Sequence, residues 1–140
     1  MKLSTKSRYA VSSLMELALS GPKKPITLSD LAQKQGISLS YAEQLFAGLR
    51  DHKLVKGTRG PGGGFVLARD ASDITIAEII ESVYERDSNR SSNPDAPSAD
   101  LWNRLDAQVD KFLGNIDLQT AISKNIDATN KSEKVELSAA

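Results

Sequence analysis

The sequence predicts a mainly α-helical fold with one small β-hairpin and a long helix toward the C-terminal end. Three observations carry that expectation. Apolar residues recur at i, i+3, i+4 and i+7 through several segments, as one face of an α-helix requires. Two of those segments are joined by the tight turn Gly36-Ile37-Ser38. A glycine-rich run from Gly57 to Gly64 then separates two short apolar stretches that read as antiparallel strands. Helix, turn, helix and hairpin in that order describe a winged helix-turn-helix.

The first helix starts after Ser4 or Thr5 as N-cap and carries the core stripe Ala10, Val11, Leu14, Leu17 and Ala18. Gly21 and Pro22 end it. Lys2, Lys6 and Arg8 around its start suit either phosphate contact or plain solvation. Lys23–Ile26 reads as a basic loop, and Thr27 with Asp30 has the spacing of a capping box. The second helix follows with Leu28, Leu31 and Ala32, short enough to support its successor and lie across a DNA backbone. Gly36 can close it with φ > 0, Ile37 plugs the turn, and Ser38 can cap the third helix, Ser38–Asp51. There Ala42, Leu45, Phe46 and Leu49 face the core, which leaves Ser40, Glu43, Gln44 and Ala47 on the opposite side. That side is small and polar, as a helix entering a major groove needs to be. Arg50 and Lys53 near its end suit phosphate contact and the negative pole of the helix dipole. His52, the single histidine, is read as a surface residue without a ligand role.

Leu54–Lys56 and Phe65–Leu67 are the expected strands. The loop between them lacks the Gly-Lys-Ser/Thr of a phosphate-binding enzyme loop and precedes a strand, so a wing is the better reading. Arg59 would lie along or in the minor groove, with Gly60 and Pro61 beside it as further DNA contacts. Ala71–Tyr84 reads as a fourth helix, with a Thr75–Glu78 capping box and a buried side of Ile76, Ile79, Ile80 and Val83. Residues 85–97 form a polar loop without periodicity. From Ser98 to Leu113 a stripe of Leu101, Trp102, Leu105, Val109 and Phe112 returns, and it needs a surface to bury it. A second copy of the chain is the preferred surface, and the chain's own domain is the alternative. Asp117–Ile126 reads as a short last helix, and residues 127–140 as a disordered polar tail. The expected division is therefore 1–84 for DNA, 85–97 as loop, 98–126 for dimerisation and 127–140 as tail.

Composition narrows the function classes. The formal net charge is zero, yet residues 1–70 hold 11 Lys and Arg against 5 Asp and Glu, while residues 71–140 hold 7 against 13. A basic half for a polyanion and an acidic half for something else follow from that segregation. There is no cysteine, hence no disulfide, thiolate nucleophile or thiolate metal ligand. No apolar run is long enough to cross a membrane, so a cytoplasmic location is expected. With one histidine and no paired carboxylates around a plausible cleft, an enzyme is not expected. A winged helix reused to bind protein, with no DNA role, is the rival to a DNA-binding regulator.

Residues 2–11 (KLSTKSRYAV), 35–50 (QGISLSYAEQLFAGLR) and 59–80 (RGPGGGFVLARDASDITIAEII) closely resemble the IscR/NsrR family of bacterial winged-helix transcription regulators, in particular its iron–sulfur type. The likeness covers residues 2–84 strongly and 98–122 more loosely, through Leu101-Trp102 and the run Phe112 to Ile116. It implies a homodimer paired through long C-terminal helices, bound to palindromic operators of iron–sulfur assembly, redox or stress genes, with RNA polymerase as a further partner. By matching position it implies Ser38, Ser40, Tyr41, Glu43 and Gln44 as recognition-helix contacts and Arg59 as the minor-groove contact. Glu43 would act as a selectivity filter, because a carboxylate facing DNA needs a cytosine amino group to offset phosphate repulsion.

The chain departs from that family in one respect. Iron–sulfur members place three cysteines, and in some a histidine, in the loop before the dimer helix. Here the corresponding stretch, Glu85–Ala99, holds Ser88, Ser91, Ser92 and Ser98 but neither cysteine nor histidine, and serine hydroxyls are poor iron ligands. Natural loss of a cluster and deliberate replacement of cysteines both give such a loop. The run Asn93-Pro94-Asp95-Ala96-Pro97 favours natural loss, since simple serine substitution would not leave it. The expected state carries no [2Fe-2S] or [4Fe-4S] cluster held by cysteine, and no other metal. Its signal could be a small molecule between wing and dimer helix, a partner on the acidic half, or its own abundance.

Overall fold

Ser4 starts the chain's first regular element by a reciprocal cap: its Oγ accepts from the Ser7 amide at 3.2 Å, and the Ser7 Oγ accepts from the Ser4 amide at 2.9 Å. The computed structural model describes residues 3–60, 63–84 and 95–123. Pro61, Lys2, residues 85–94 of the loop, the 124–126 end of the last helix and the tail lie outside them. The elements are α1 (Thr5–Ser20), α2 (Leu28–Gln35), α3 (Leu39–Asp51), β1 (Val55–Thr58), β2 (Gly64–Leu67), a 3-10 turn (Ala71–Asp73), α4 (Ile76–Val83), α5 (Ala99–Gly114) and α6 (Leu118–Ile122).

One apolar cluster joins them. Ala10, Leu14 and Leu17 of α1 meet Leu31 of α2, Leu45, Phe46 and Leu49 of α3, and Ile79, Ile80 and Val83 of α4. Close helix approach sets the seat of α3 on α4: a Cβ at Gly48 would stand 2.6 Å from the Ser82 carbonyl oxygen. The hairpin is antiparallel, pairing Val55 with Leu67, Lys56 with Val66, Gly57 with Phe65 and Thr58 with Gly64. β1 thus runs through Gly57 and Thr58, two residues beyond the expected strand, while Leu54 lies in the turn between α3 and β1.

Four expectations need correction. Ile26, read as loop, bridges β2: its amide donates to the Phe65 carbonyl at 3.1 Å and its carbonyl accepts from the Phe65 amide at 2.8 Å. That approach needs glycine at 64, where a Cβ would stand 2.5 Å from the Ile26 carbonyl. The helix expected from Ala71 is broken into a 3-10 turn and α4, with Ile74 extended and fully buried between them. Thr75 and Glu78 do form the reciprocal cap of α4. The Asp30 side chain, by contrast, does not return the cap that the Thr27 Oγ1 gives its amide at 3.1 Å, so α2 starts on half a capping box.

The fourth correction concerns the C-terminal segment. After α5 the chain turns back: the Ile116 carbonyl accepts from the Ile76 amide at 2.9 Å and the Leu118 amide donates to the Ile74 carbonyl at 2.8 Å. Ile116, Leu118 and Ala121 are buried in the same core, with α6 packed on α1. α6, capped by Asp117 as expected, is a piece of the winged unit and ends at Ile122. α5 alone stands out. None of its residues is buried, and Leu113 near its end is the residue that packs against the core.

Candidate nucleic-acid interface

The turn that presents α3 is built by backbone hydrogen bonds. Gly36 adopts φ 69°, ψ 34°, its amide donates to the Gln33 carbonyl at 3.2 Å, and the Ile37 amide donates to Ala32 at 3.0 Å. This is a Schellman ending, with Ile37 packed against the core as its apolar contact. Two residues later the Ser38 Oγ accepts from the Tyr41 amide at 3.1 Å and starts α3. As acceptor there, the Ser38 hydroxyl keeps its proton to donate, and the free amides of the first helical turn point the same way as the positive dipole end.

The two faces of α3 are as different as the spacing requires. Ala42, Leu45, Phe46 and Leu49 are buried, whereas Ser40, Glu43, Gln44 and Ala47 are exposed. Ser38, Arg50 and Arg59 are exposed too, the last at the end of β1 where the wing turns. Gly60 holds φ 98° and accepts at its carbonyl from the Gly63 amide at 2.9 Å. The Thr58 Oγ1 accepts from the Gly64 amide at 2.9 Å and closes the hairpin below the tip. Pro61 lies outside the described residues. Tyr41 differs from its neighbours: it is half-buried, its ring in edge contact with Tyr9 at 6.0 Å and 83°. Phe46 meets Phe65 of the wing edge-on at 5.0 Å, so the core side of the recognition helix and the wing share an aromatic joint.

Cations flank this face. Lys34 is engaged by Glu16 at 3.3 Å and Arg69 by Glu78 at 3.4 Å. Arg50, Lys53, Lys56 and Arg59 are exposed and make no ion pair among the described residues. Lys53 adopts a backbone conformation that its residue type does not foretell. It sits at φ 58°, the one non-glycine residue with positive φ among the described residues, and it ends α3 by a second Schellman motif. Its amide donates to the Arg50 carbonyl at 2.9 Å, and the Leu54 amide to Leu49 at 3.0 Å. A glycine would fit this position without the roughly 1 kcal/mol left-handed penalty of a lysine. Lys53→Gly should therefore leave urea stability unchanged or raise it by at most about 1 kcal/mol. The same change should lower the salt slope of DNA binding by about one per protomer. An unchanged slope would remove Lys53 from the phosphate contacts.

No group of three or more His, Asp or Glu among the described residues could hold a metal ion. His52 caps the C-terminal end of α3 with its Nδ1 3.1 Å from the Gly48 carbonyl oxygen. With no cysteine in the sequence, the donors present do not fit a thiolate-held cluster.

A capped, polar-faced recognition helix, a bridged wing and flanking cations define a DNA-binding transcription regulator of the winged helix-turn-helix class. Comparison with known proteins narrows this. Residues 3–124 match the Rrf2 family, described as iron-dependent transcriptional regulators, and the chain belongs to that family. It is 39% identical over 142 residues to the HTH-type transcriptional regulator IscR of Xenorhabdus nematophila, covering 96% of this chain and 86% of that one. Among solved structures, T. potens IscR superposes with a TM-score of 0.74 at 31% identity, over 91% of this chain and 90% of that one. CymR, the global cysteine regulator of B. subtilis, gives a TM-score of 0.74 at 34% identity, over 89% and 98%. These relatives are regulators and not enzymes, and the reading as a protein-binding module without DNA gives way to DNA binding.

Proposed function

We propose that the chain acts as a homodimer on palindromic operators in the cytoplasm and controls genes of iron–sulfur assembly, redox or stress response. RNA polymerase is its further partner at the promoter. It does so without a cysteine-ligated cluster, because the sequence supplies no thiolate to hold one. The observation that carries the DNA reading is the division of α3, with one face in the core and Ser40, Glu43 and Gln44 exposed on the other. Ser38, Ser40, Tyr41, Glu43 and Gln44 make the major-groove contacts, Arg50 and Lys53 hold phosphates, and Arg59 with Gly60 and Pro61 anchors the wing in the minor groove. Tyr41 contributes its hydroxyl edge, since its ring already packs on Tyr9. The exposed side of α5 pairs the two copies and so sets the operator spacing.

Glu43 provides the test. Its carboxylate is exposed on the DNA-facing side, where it repels phosphate unless a cytosine N4 amino group donates to it. Duplexes are selected from a random library with the wild type, and each position of the half-site is then varied. Glu43→Ala should keep or raise overall affinity, while discrimination at one cytosine falls from about 10–100-fold toward unity. If preference at every position stays as in the wild type, Glu43 is no filter.

A further inference from the structure

The exposed face of α3 holds a residue that polar readout does not explain. Leu39 is the first residue of the helix and is 48% exposed, although its spacing to Ala42 and Phe46 continues the core stripe of α3. Among the described residues it is the large apolar side chain that α3 leaves in water. Glu43 stands one helical turn further on, so the two share a flank of the helix. Leu39 is neither part of the core cluster nor among the apolar residues packed against it.

We infer that Leu39 reads a thymine. Its isobutyl group packs on the C5-methyl of a thymine in the major groove, at a base pair neighbouring the one Glu43 inspects. Thymine alone among the bases carries a methyl group on that edge, so an apolar contact there is base-specific. The residues at the start of a recognition helix are the ones that approach base edges. Ser40, Glu43 and Gln44 supply hydrogen-bonding groups and cannot reward a methyl group, so Leu39 adds a kind of readout that they lack. The inference rests on the DNA-binding reading above and extends it to one residue and one base feature.

The test is a double cycle on duplexes selected by the wild type. Each half-site thymine is replaced in turn by deoxyuridine, which removes only the methyl group, and affinity is measured for the wild type and for Leu39→Ala. One position should weaken wild-type binding about fourfold per half-site, the value of one methyl group removed from water. Leu39→Ala should weaken the thymine duplex comparably and become indifferent to deoxyuridine at that position, so that the two losses do not add. A Leu39→Gln variant, reselected from the random library, should exchange thymine for adenine there. Deoxyuridine without effect at every position, or effects that add with Leu39→Ala, overturns the inference while the regulator reading stands. A wild-type chain that selects no sequence at all overturns both.

Discussion

Phe46→Ala lowers the unfolding free energy by about 3–5 kcal/mol, the usual loss for deleting a buried aromatic side chain. Phe46 is 2% exposed and belongs to the cluster that joins α1, α3 and α4. Its ring also meets Phe65 edge-on at 5.0 Å, and Phe65 is the residue that the Ile26 bridge holds. Deletion therefore leaves a cavity under the recognition helix and removes the aromatic joint between that helix and the wing. A domain of this kind has roughly 5–15 kcal/mol in hand, so the loss takes a large part of it. The measurement is urea unfolding at fixed protomer concentration, because the proposed dimer would make the midpoint concentration-dependent. The midpoint should fall sharply with little change in slope. Phe65→Ala, at a half-buried position, should cost less. A loss under 1 kcal/mol for Phe46→Ala would mean that α3 is not seated on this core.

What the sequence discloses and what it withholds follow from how local each signal is. α1, α2 and α3 are legible because periodicity and caps lie within the element: Ser4, Gly36 and Ser38 act on neighbours three to five residues away. The exposed side of α3 is legible for the same reason, as the remainder once Ala42, Leu45, Phe46 and Leu49 are assigned to the core. Ile26 is not legible as a strand residue, because its partner Phe65 stands far along the chain and a one-residue bridge leaves no alternation. The break at Ile74 has the same origin: its carbonyl is satisfied by the Leu118 amide, a contact that only the returning C-terminal segment provides. Without that segment in view, residues 71–84 read as one helix.

Within the site, what the sequence leaves open is of another kind. Tyr41 lies between the two faces of α3, and periodicity does not say which way a flank residue goes; the Tyr9 ring decides it. Lys53 carries no signal of a left-handed conformation, since lysine has no preference for one. The signal is the pattern around it: Leu49 and Leu54 are both buried, as the apolar pair of a Schellman ending must be. Leu39 is missed because an apolar residue on a helix is read as core by default. Its spacing to Ala42 and Phe46 fits the core stripe, and only its exposure at the start of the helix separates it from them.

Trp102→Glu combined with Leu105→Glu should convert a dimer into a monomer with an intact winged unit. α5 is a 16-residue helix with Leu101 60%, Trp102 53%, Leu105 36% and Phe112 46% exposed, and it is pinned to the core near its end through Leu113. An isolated helix of that length is marginal in water, and its Asp100–Arg104 pair at 3.0 Å is an exposed one worth a few tenths of a kcal/mol at most. In the proposed dimer, apolar burial against a second copy would supply what is missing, at about 1.5–3 kcal/mol per large side chain covered. Two carboxylates in the middle of that face cannot be buried unpaired, so pairing fails there and not in the core. Light scattering should give the mass of one chain for the variant and of two for the wild type. Unfolding of the variant should become independent of concentration. Affinity for a full palindrome should fall by about 10²–10⁴, the contribution of linking two binding events, while affinity for a single half-site holds. A variant that remains dimeric would place the interface elsewhere, and a monomeric wild type would remove α5 from the reading of paired half-sites.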